Sequence, residues 1–145
     1  MLPPFDSNTG RLPEGVYEAD WDEIVERFGW TTRRRELLDG IADAIDVLAV
    51  AGCTRVWLNG SFVTSKDEPG DFDACWDVDG VDFDVLDPVL LDMSSQRSAQ
   101  KQRFGGELFP NVIEVESGFI FAEFFQNERD TGRKGIVVIQ IGAKS

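Results

Sequence analysis

Apolar residues in the first third of the chain recur at the spacing of a helix. After Thr31 they fall three or four positions apart and would form one stripe, made of Leu37, Leu38, Ile41, Ile45, Leu48 and Ala49. Such a stripe predicts a long amphipathic helix. Thr31 or Thr32 would cap its start, and Ala51-Gly52 would end it.

Two shorter helices are predicted on either side of this one. The first begins after the N-cap Asp20, with Glu23 completing a capping-box arrangement, and ends at Gly29. The second runs from Ser94 or Ser95 through Gln102 and ends at two glycines. Residues 1–19 are rich in proline and glycine, so we expect them to be an irregular lead-in.

Short apolar runs predict the strands. They are 55–58, the segment that opens at Asp71, 107–109 and 135–141. A length of 145 residues and an apolar content of 42% are sufficient for one core. We therefore expect residues 1–145 to form a single domain.

The strand that opens at Asp71 has an acidic side. Side chains alternate along a strand, so Asp71, Asp73, Cys75 and Asp77 would share one face, while apolar residues take the other. Asp71 and Asp73 would lie about 6.6 Å apart along the strand. Two carboxylates this close repel each other unless a cation lies between them, and Mg²⁺ binds carboxylate and phosphate oxygens together.

A glycine-serine turn precedes the two aspartates. Gly60 allows close approach of the backbone to a ligand. The hydroxyl of Ser61 and the amide groups of a following helical turn would suit a phosphate. The sequence therefore predicts a phosphate and a metal ion between the two strands.

The amino-acid composition limits the kinds of metal site and catalysis that the chain can support. The chain has no histidine and two cysteines, which excludes zinc sites and histidine acid–base catalysis, so any metal would be bound by oxygen. Cys53 and Cys75 lie in or beside apolar strand patterns and are interpreted as buried free thiols. No apolar run has the length of a membrane span and the N-terminus has no signal segment, so we expect a soluble, cytoplasmic protein.

The charge is strongly negative and unevenly distributed. The formal net charge is -13, and residues 67–92 contain ten acidic residues and no basic one. Such a surface repels a nucleic-acid backbone, so duplex DNA is not an expected partner. The basic run Arg33-Arg34-Arg35 is interpreted as a solvated, charge-balancing helix face, and a triphosphate or RNA contact is the alternative.

The motif around Gly60 resembles that of a known superfamily. Gly60-Ser61, followed after nine residues by Asp71-x-Asp73, looks like the signature of the nucleotidyltransferases with a DNA polymerase beta-like fold. The spacing is about one residue shorter than usual, which the Pro-Gly turn before Asp71 could absorb. The run Gly-Ser-Phe-Val-Thr-x-Lys-x-x-Pro-x-Asp-x-Asp, with Arg-Phe-Gly-x-Glu-Leu-Phe and Lys-Gly-Ile further on, is similar to an uncharacterised family of small bacterial nucleotidyltransferase-like proteins. This resemblance covers residues 12–136.

The resemblance implies an α+β, nucleotidyltransferase-like fold with a small mixed sheet flanked by helices. It also favours a helix for the apolar segment 119–125. In the superfamily a third acid stands on a strand beside the aspartate pair. Glu107 is the residue that we expect there, where the family commonly has Asp, and Glu123 is the alternative.

The resemblance further implies a magnesium-dependent nucleotidyltransferase with a two-metal site. Asp71, Asp73 and Glu107 would be the catalytic and metal-binding residues. Gly60, Ser61 and Lys66 would bind the nucleotide. The remaining basic candidates for phosphate contacts are Lys101, Arg103 and Lys134.

The substrates expected from the resemblance are an NTP and a hydroxyl on a protein, RNA or small molecule. A toxin–antitoxin or phage-defence pair is an implied setting, with a toxin or antitoxin as protein partner. The alternative is a non-catalytic binding module that keeps the scaffold and uses its acidic face to engage a partner protein.

Overall fold

A five-stranded mixed sheet positions the residues of interest. The structure is a computed structural model that describes residues 2–92, 94–112, 127–128, 132–133 and 135–141. The sheet strands are β1 (Gly15–Ala19), β2 (Arg55–Asn59), β3 (Phe72–Trp76), β4 (Gly106–Pro110) and β7 (Gly135–Gln140), in the order β1-β7-β2-β3-β4. Two short strands, β5 (Asn127–Glu128) and β6 (Gly132–Arg133), pair with each other.

The sheet mixes parallel and antiparallel pairs. β1 pairs in parallel with β7, and β3 pairs in parallel with β4. β2 is antiparallel to both of its neighbours, β7 and β3. The predicted α+β class with a small mixed sheet is therefore confirmed.

Three helices and two short 3-10 turns complete the described elements. The helices are α1 (Trp21–Phe28), α2 (Thr32–Val50) and α3 (Ser94–Phe104), and the 3-10 turns are Gly60–Val63 and Pro88–Leu91. Asp20 and Thr31 cap α1 and α2 as predicted, because their side chains accept hydrogen bonds from the third residue beyond each. Among the described residues, no helix combines the length and the apolar character needed to cross a bilayer.

Two predictions about the N-terminal region were wrong. Residues 15–19 are not irregular, because they form β1 at the edge of the sheet. The capping box is also incomplete, since the Glu23 carboxylate accepts from the backbone N–H of Leu2 at 2.7 Å. The acid thus anchors the chain terminus against α1.

The two faces of the sheet have different surroundings. One face contributes Leu58, Phe72, Ala74 and Trp76 to a large core that also contains the apolar stripe of α2. The opposite face carries a smaller cluster of Trp57, Cys75, Ile136 and Val138. The expected alternation in β3 is confirmed: Asp73 lies near the start of the strand, and Asp77 follows its end and pairs with Arg55.

Part of the sequence interpretation lies outside the described residues. The segment 119–125, interpreted as a helix, belongs there, as do Glu123 and Lys134. The last predicted strand is confirmed as β7.

Candidate active site

A row of three polar residues crosses adjacent strands at one end of the sheet. Asn59 at the end of β2 is the register partner of Asp73 in β3. Asp73 is in turn the partner of Glu107 in β4. Because direct partners on neighbouring strands project to the same face, Asn59, Asp73 and Glu107 line one side of the sheet. The predicted proximity of Asp73 and Glu107 is therefore found in the strand register.

Asp71 belongs to the same electrostatic neighbourhood. Burial raises the pKa of its carboxyl above the usual value, and the negative charge of Glu107 raises it further. The positive charges of Lys101, Arg33 and Lys66 oppose this rise in pKa. Asp71 and Glu107 are therefore close enough to interact electrostatically, and three basic side chains are near enough to influence Asp71.

The raised pKa of Asp71 predicts how stability depends on pH. The folded state holds this proton more tightly than the unfolded chain, so the free energy of unfolding falls as pH rises from the unfolded pKa through the folded one. Asp71→Asn has no carboxyl group to ionise there, so its free energy of unfolding does not fall in this way as pH rises. We expect the variant to be more stable than the wild type at neutral pH but not at acidic pH. Urea unfolding at both pH values measures the difference, with the exposed Asp84→Asn as control. If the stability of Asp71→Asn depended on pH in the same way as that of the wild type, the pKa of Asp71 would not be raised in the folded protein.

Glu107 is held by two basic residues of α3. Arg97 Nε donates a short hydrogen bond to one carboxylate oxygen, and Lys101 Nζ lies 3.4 Å from the other. Arg97 reaches this position from a left-handed stretch, Ser95–Arg97, in which all three residues have positive φ. Sequence reasoning missed Arg97, since nothing in a helical pattern predicts that conformation.

The glycine-serine turn packs directly against the aspartate row. Gly60 begins the Gly60–Val63 turn with φ of 80°, a conformation that favours glycine. A Cβ atom at this position would lie 2.5 Å from Oδ2 of Asp73. The main chain of Gly60 and the carboxylate of Asp73 are therefore neighbours, as the sequence predicted, and half-buried Ser61 follows immediately.

A comparison with protein-family models identifies the family of this chain. The model described as "Family of unknown function (DUF6932)" matches residues 3–140. The chain belongs to DUF6932. No curated protein and no solved structure matches it. The DUF6932 match includes the Gly60 turn, both aspartates and Glu107, so the candidate site lies within the family's domain.

A buried arginine fixes the loop between the Gly60 turn and the aspartates of this DUF6932 protein. The Arg34 side chain is fully buried and donates to the backbone carbonyls of Phe28, Ser61, Phe62, Thr64 and Lys66. Burial lowers the pKa of Arg34 to about 10 despite the nearby charge of Asp67, so the guanidinium remains charged at neutral pH. The interpretation of the whole arginine run as a solvated face was wrong, because Arg34 points inward.

The neighbouring residues extend this anchoring. Arg33 donates to the carbonyls of Pro69 and Gly70, immediately before Asp71. The ring of Trp30 stacks on the Arg34 guanidinium, with 3.7 Å between the ring centre and Cζ. Nε1 of Trp30 donates a hydrogen bond to Oδ1 of Asp67 at 2.7 Å. Two consecutive arginines thus hold the connection from the glycine turn to the acidic strand.

The remaining predicted groups divide into those inside and those outside the site. Lys66 and Lys101 both act on Asp71 and belong to it. Arg103 instead pairs with Asp43 and Asp87. Asp77, at the other end of β3, forms an ion pair with Arg55, with 2.7 Å between Oδ2 and Nη2.

Both cysteines lie in the interior of the protein. Cys53 and Cys75 are free and buried, as predicted. Burial raises the pKa of both thiols, which keeps them protonated and unreactive.

The candidate ligand atoms are of the type that hard cations prefer. Every candidate ligand is an oxygen, and Oδ1 of Asn59 is buried with no hydrogen-bond partner within the described part of the chain. Within that same part, no three His, Cys, Asp or Glu side chains are arranged closely enough to hold a metal ion. Any cation would therefore need donors beyond these side chains, from the amide, water or a substrate.

Proposed function

We propose that this DUF6932 protein is a magnesium-dependent nucleotidyltransferase. The observation that carries the proposal is the register of β2, β3 and β4, which aligns Asn59, Asp73 and Glu107 beside the Gly60 turn. Asp71 adds a second aspartate in the electrostatic range of Glu107. Acidic oxygens next to a glycine-serine turn are the combination that metal-assisted phosphoryl transfer uses.

The proposed reaction exchanges one phosphorus–oxygen bond for another. A hydroxyl oxygen of the acceptor forms a bond to the α-phosphorus of an NTP. The bond from that phosphorus to the bridging oxygen of the β-phosphate breaks, and pyrophosphate leaves with both bonding electrons. The hydroxyl proton passes to a carboxylate of the site, where Glu107 is our candidate, and then to solvent.

Asp71 and Asp73 would hold the magnesium, with further donors from a neighbouring amide, water or the substrate phosphates. When bound, magnesium would stabilise the charge on the attacking and leaving oxygens. Arg97 and Lys101 keep the Glu107 carboxylate in place through their hydrogen bond and ion pair. These contacts orient the acid without requiring any movement of the sheet.

The phosphate-binding role falls to the turn and the nearby bases. Gly60 permits close approach of a ligand to the main chain, and the Ser61 hydroxyl follows it. Lys66 and Lys101 supply positive charge that would attract a triphosphate. A groove of about 470 Å³ has Arg33 and Lys101 on its wall, together with the acidic residues Glu36, Asp39 and Asp43.

The acceptor would be a hydroxyl on a protein, RNA or small molecule. A strongly acidic surface disfavours duplex DNA. A toxin–antitoxin or phage-defence pair remains our proposed setting, with the partner protein supplying or presenting the acceptor.

Transfer of label tests the proposal. The protein is incubated with Mg²⁺ and each α-labelled NTP, with its own polypeptide, bulk RNA and the protein partner as acceptors. We expect labelled product from the wild type and none above background from the variant Asp71→Asn with Asp73→Asn. The matched control is Asp82→Asn with Asp84→Asn, which changes the charge equally on an exposed loop. Undiminished transfer by the Asp71/Asp73 variant would show that the catalytic assignment is wrong.

A binding module is the second candidate, and one surface favours it. Val50, Phe83, Val85 and Leu91 are large apolar residues with exposed side chains. A groove of about 480 Å³ lies among Val47, Val50, Val85 and Pro88, flanked by Asp84 and Asp87. Its charge and apolar lining suit a partner segment in which lysine or arginine flanks an apolar residue.

Titration calorimetry with Mg-NTP separates the two candidates. The enzyme is expected to release or absorb heat on binding nucleotide, and the aspartate variant is not. A wild type that binds no nucleotide, but binds a lysine- and leucine-containing peptide in a way that Val85→Asp abolishes, would favour the module.

A further inference from the structure

An apolar groove of about 480 Å³ lies between the C-terminal end of α2 and the loop that follows β3. α2 contributes Val47 and Val50 to its lining, and the loop contributes Val85, Leu86 and Pro88. Val50 is 75% exposed and Val85 is 51% exposed, so both elements present open apolar surface. Exposed apolar side chains that converge on one groove are typical of a docking site.

The loop side of the groove is tied to the body of the protein. Leu86 is buried in the large core cluster, and its backbone N–H donates to the carbonyl of Asp82 at 3.0 Å. The backbone N–H of Asp82 in turn donates to the carbonyl of Ala51, just after α2, at 2.8 Å. Val85 lies between these two anchored residues, so the fold itself holds its side chain at the surface. A partner would therefore meet a preformed surface, which reduces the entropy cost of binding.

Acidic side chains surround this apolar lining. Asp84 and Asp87 line the groove, and no described residue that lines it is basic. Asp46 is exposed and lies four positions before Val50, so both occupy the same face of α2. Asp87 is already paired with Arg103. The exposed carboxylates of Asp46 and Asp84 are therefore the ones that a partner would meet.

The C-terminal end of α2 adds to the negative potential. A helix carries about half a negative charge at its C-terminus, where basic side chains are favourable. The last turn of α2 contains no basic residue. Two independent features, the side-chain carboxylates and the helix terminus, thus favour a positively charged group beside this groove.

The groove is remote from the candidate active site. Arg33 and Arg34, in the first turn of α2, hold the loop that leads to Asp71. Val50 is the last residue of the same helix. The helix rises about 24 Å between Arg34 and Val50. A partner in the groove would therefore leave the Gly60 turn accessible.

We propose that this groove docks a protein segment in which lysine or arginine flanks an apolar side chain, at the same time as the candidate active site is occupied. The apolar side chain would lie against Val50 and Val85, and the basic groups would face Asp46 and Asp84. The inference does not depend on nucleotide transfer, since it uses none of the residues assigned to that reaction. A nucleic acid does not fit the groove, because the same carboxylates would repel its phosphates.

Selection from a library of random peptides, with the full chain as bait, tests the proposal. We expect the selected sequences to share a lysine or arginine beside a leucine, isoleucine or phenylalanine. Val50→Ser with Val85→Ser should weaken binding of a selected peptide about tenfold or more, as measured by fluorescence anisotropy. The control is Val16→Ser with Val25→Ser, because these two valines are exposed on β1 and α1.

Reversal of one charge tests the role of the carboxylates. Asp46→Lys should weaken binding of the same peptide about fivefold at low salt, and less at high salt. Glu26→Lys makes the same change of charge at an exposed position of α1 and should leave binding unchanged. Lysine is favourable near the C-terminus of a helix, so a loss of folding would not account for the effect of Asp46→Lys.

The contrary results are distinct from those that bear on transfer. A selection that enriches no peptide of the expected kind would overturn the proposal, as would equal affinity in the wild type and the Val50/Val85 variant. A wild-type dimer in sedimentation experiments that this variant dissociates would assign the groove to a second copy of the chain instead. Asp71→Asn with Asp73→Asn should bind the peptide like the wild type, and a loss of peptide binding there would show that the two surfaces are not separate.

Discussion

Arg34→Ala is expected to lower the free energy of unfolding by about 4 kcal/mol, placing it among the most damaging single substitutions. The side chain is fully buried and donates to five backbone carbonyls, those of Phe28, Ser61, Phe62, Thr64 and Lys66. Alanine would leave these acceptors without their donor and open a cavity below Trp30. Urea unfolding followed by circular dichroism measures the loss.

The adjacent arginine provides the control for this experiment. Arg35 is exposed and donates to Gly29 and Thr32 at the surface. We expect Arg35→Ala to change stability by no more than about 0.5 kcal/mol. If Arg34→Ala does not fold, Arg34→Lys keeps the charge without the planar fork and should still be clearly destabilised. A loss below about 1 kcal/mol in either Arg34 variant would refute the anchoring role.

Gly60→Ala is expected to cost about 1–3 kcal/mol of stability and also to disturb the site. The positive φ of 80° disfavours any side chain, and the added Cβ would lie 2.5 Å from Oδ2 of Asp73. The carboxylate must therefore move away from its place beside Asn59. Urea unfolding and Mn²⁺ titration together measure both effects.

Gly70→Ala is the matched comparison for Gly60→Ala. Nothing lies within 4 Å of a Cβ built at Gly70. We expect Gly70→Ala to leave both stability and Mn²⁺ affinity near the wild-type values. Equal behaviour of the two alanine variants would mean that Gly60 and Asp73 are not in the contact described.

Local patterns in the sequence predicted much of the fold. The stripe from Leu37 to Leu48 and the caps Asp20 and Thr31 depend on near neighbours in the chain, so they can be recognised without tertiary information. β1 was missed because its place is set by pairing with β7, which lies more than a hundred residues further on. Edge pairing of this kind leaves only a weak local pattern.

The candidate site was predictable to a similar degree. The proximity of Gly60, Asp73 and Glu107 follows from strand alternation and from the motif that suggested Glu107. The burial of Arg34 and of Asn59 was not predictable from the sequence. A charged residue within an arginine run, or an asparagine before a glycine, looks like a surface or turn residue until the packing is known.

We propose that the acids of β3 and β4 and the Gly60 turn form one cation and triphosphate site. A crystal structure of the wild type with Mg²⁺ and a nonhydrolysable NTP at saturating concentration would show whether they do. We predict a metal ion in contact with Asp71 and Asp73, with the triphosphate over the Gly60–Val63 turn. Nucleotide bound elsewhere on the protein, or a site that stays empty at saturation, would show that the proposed site does not exist.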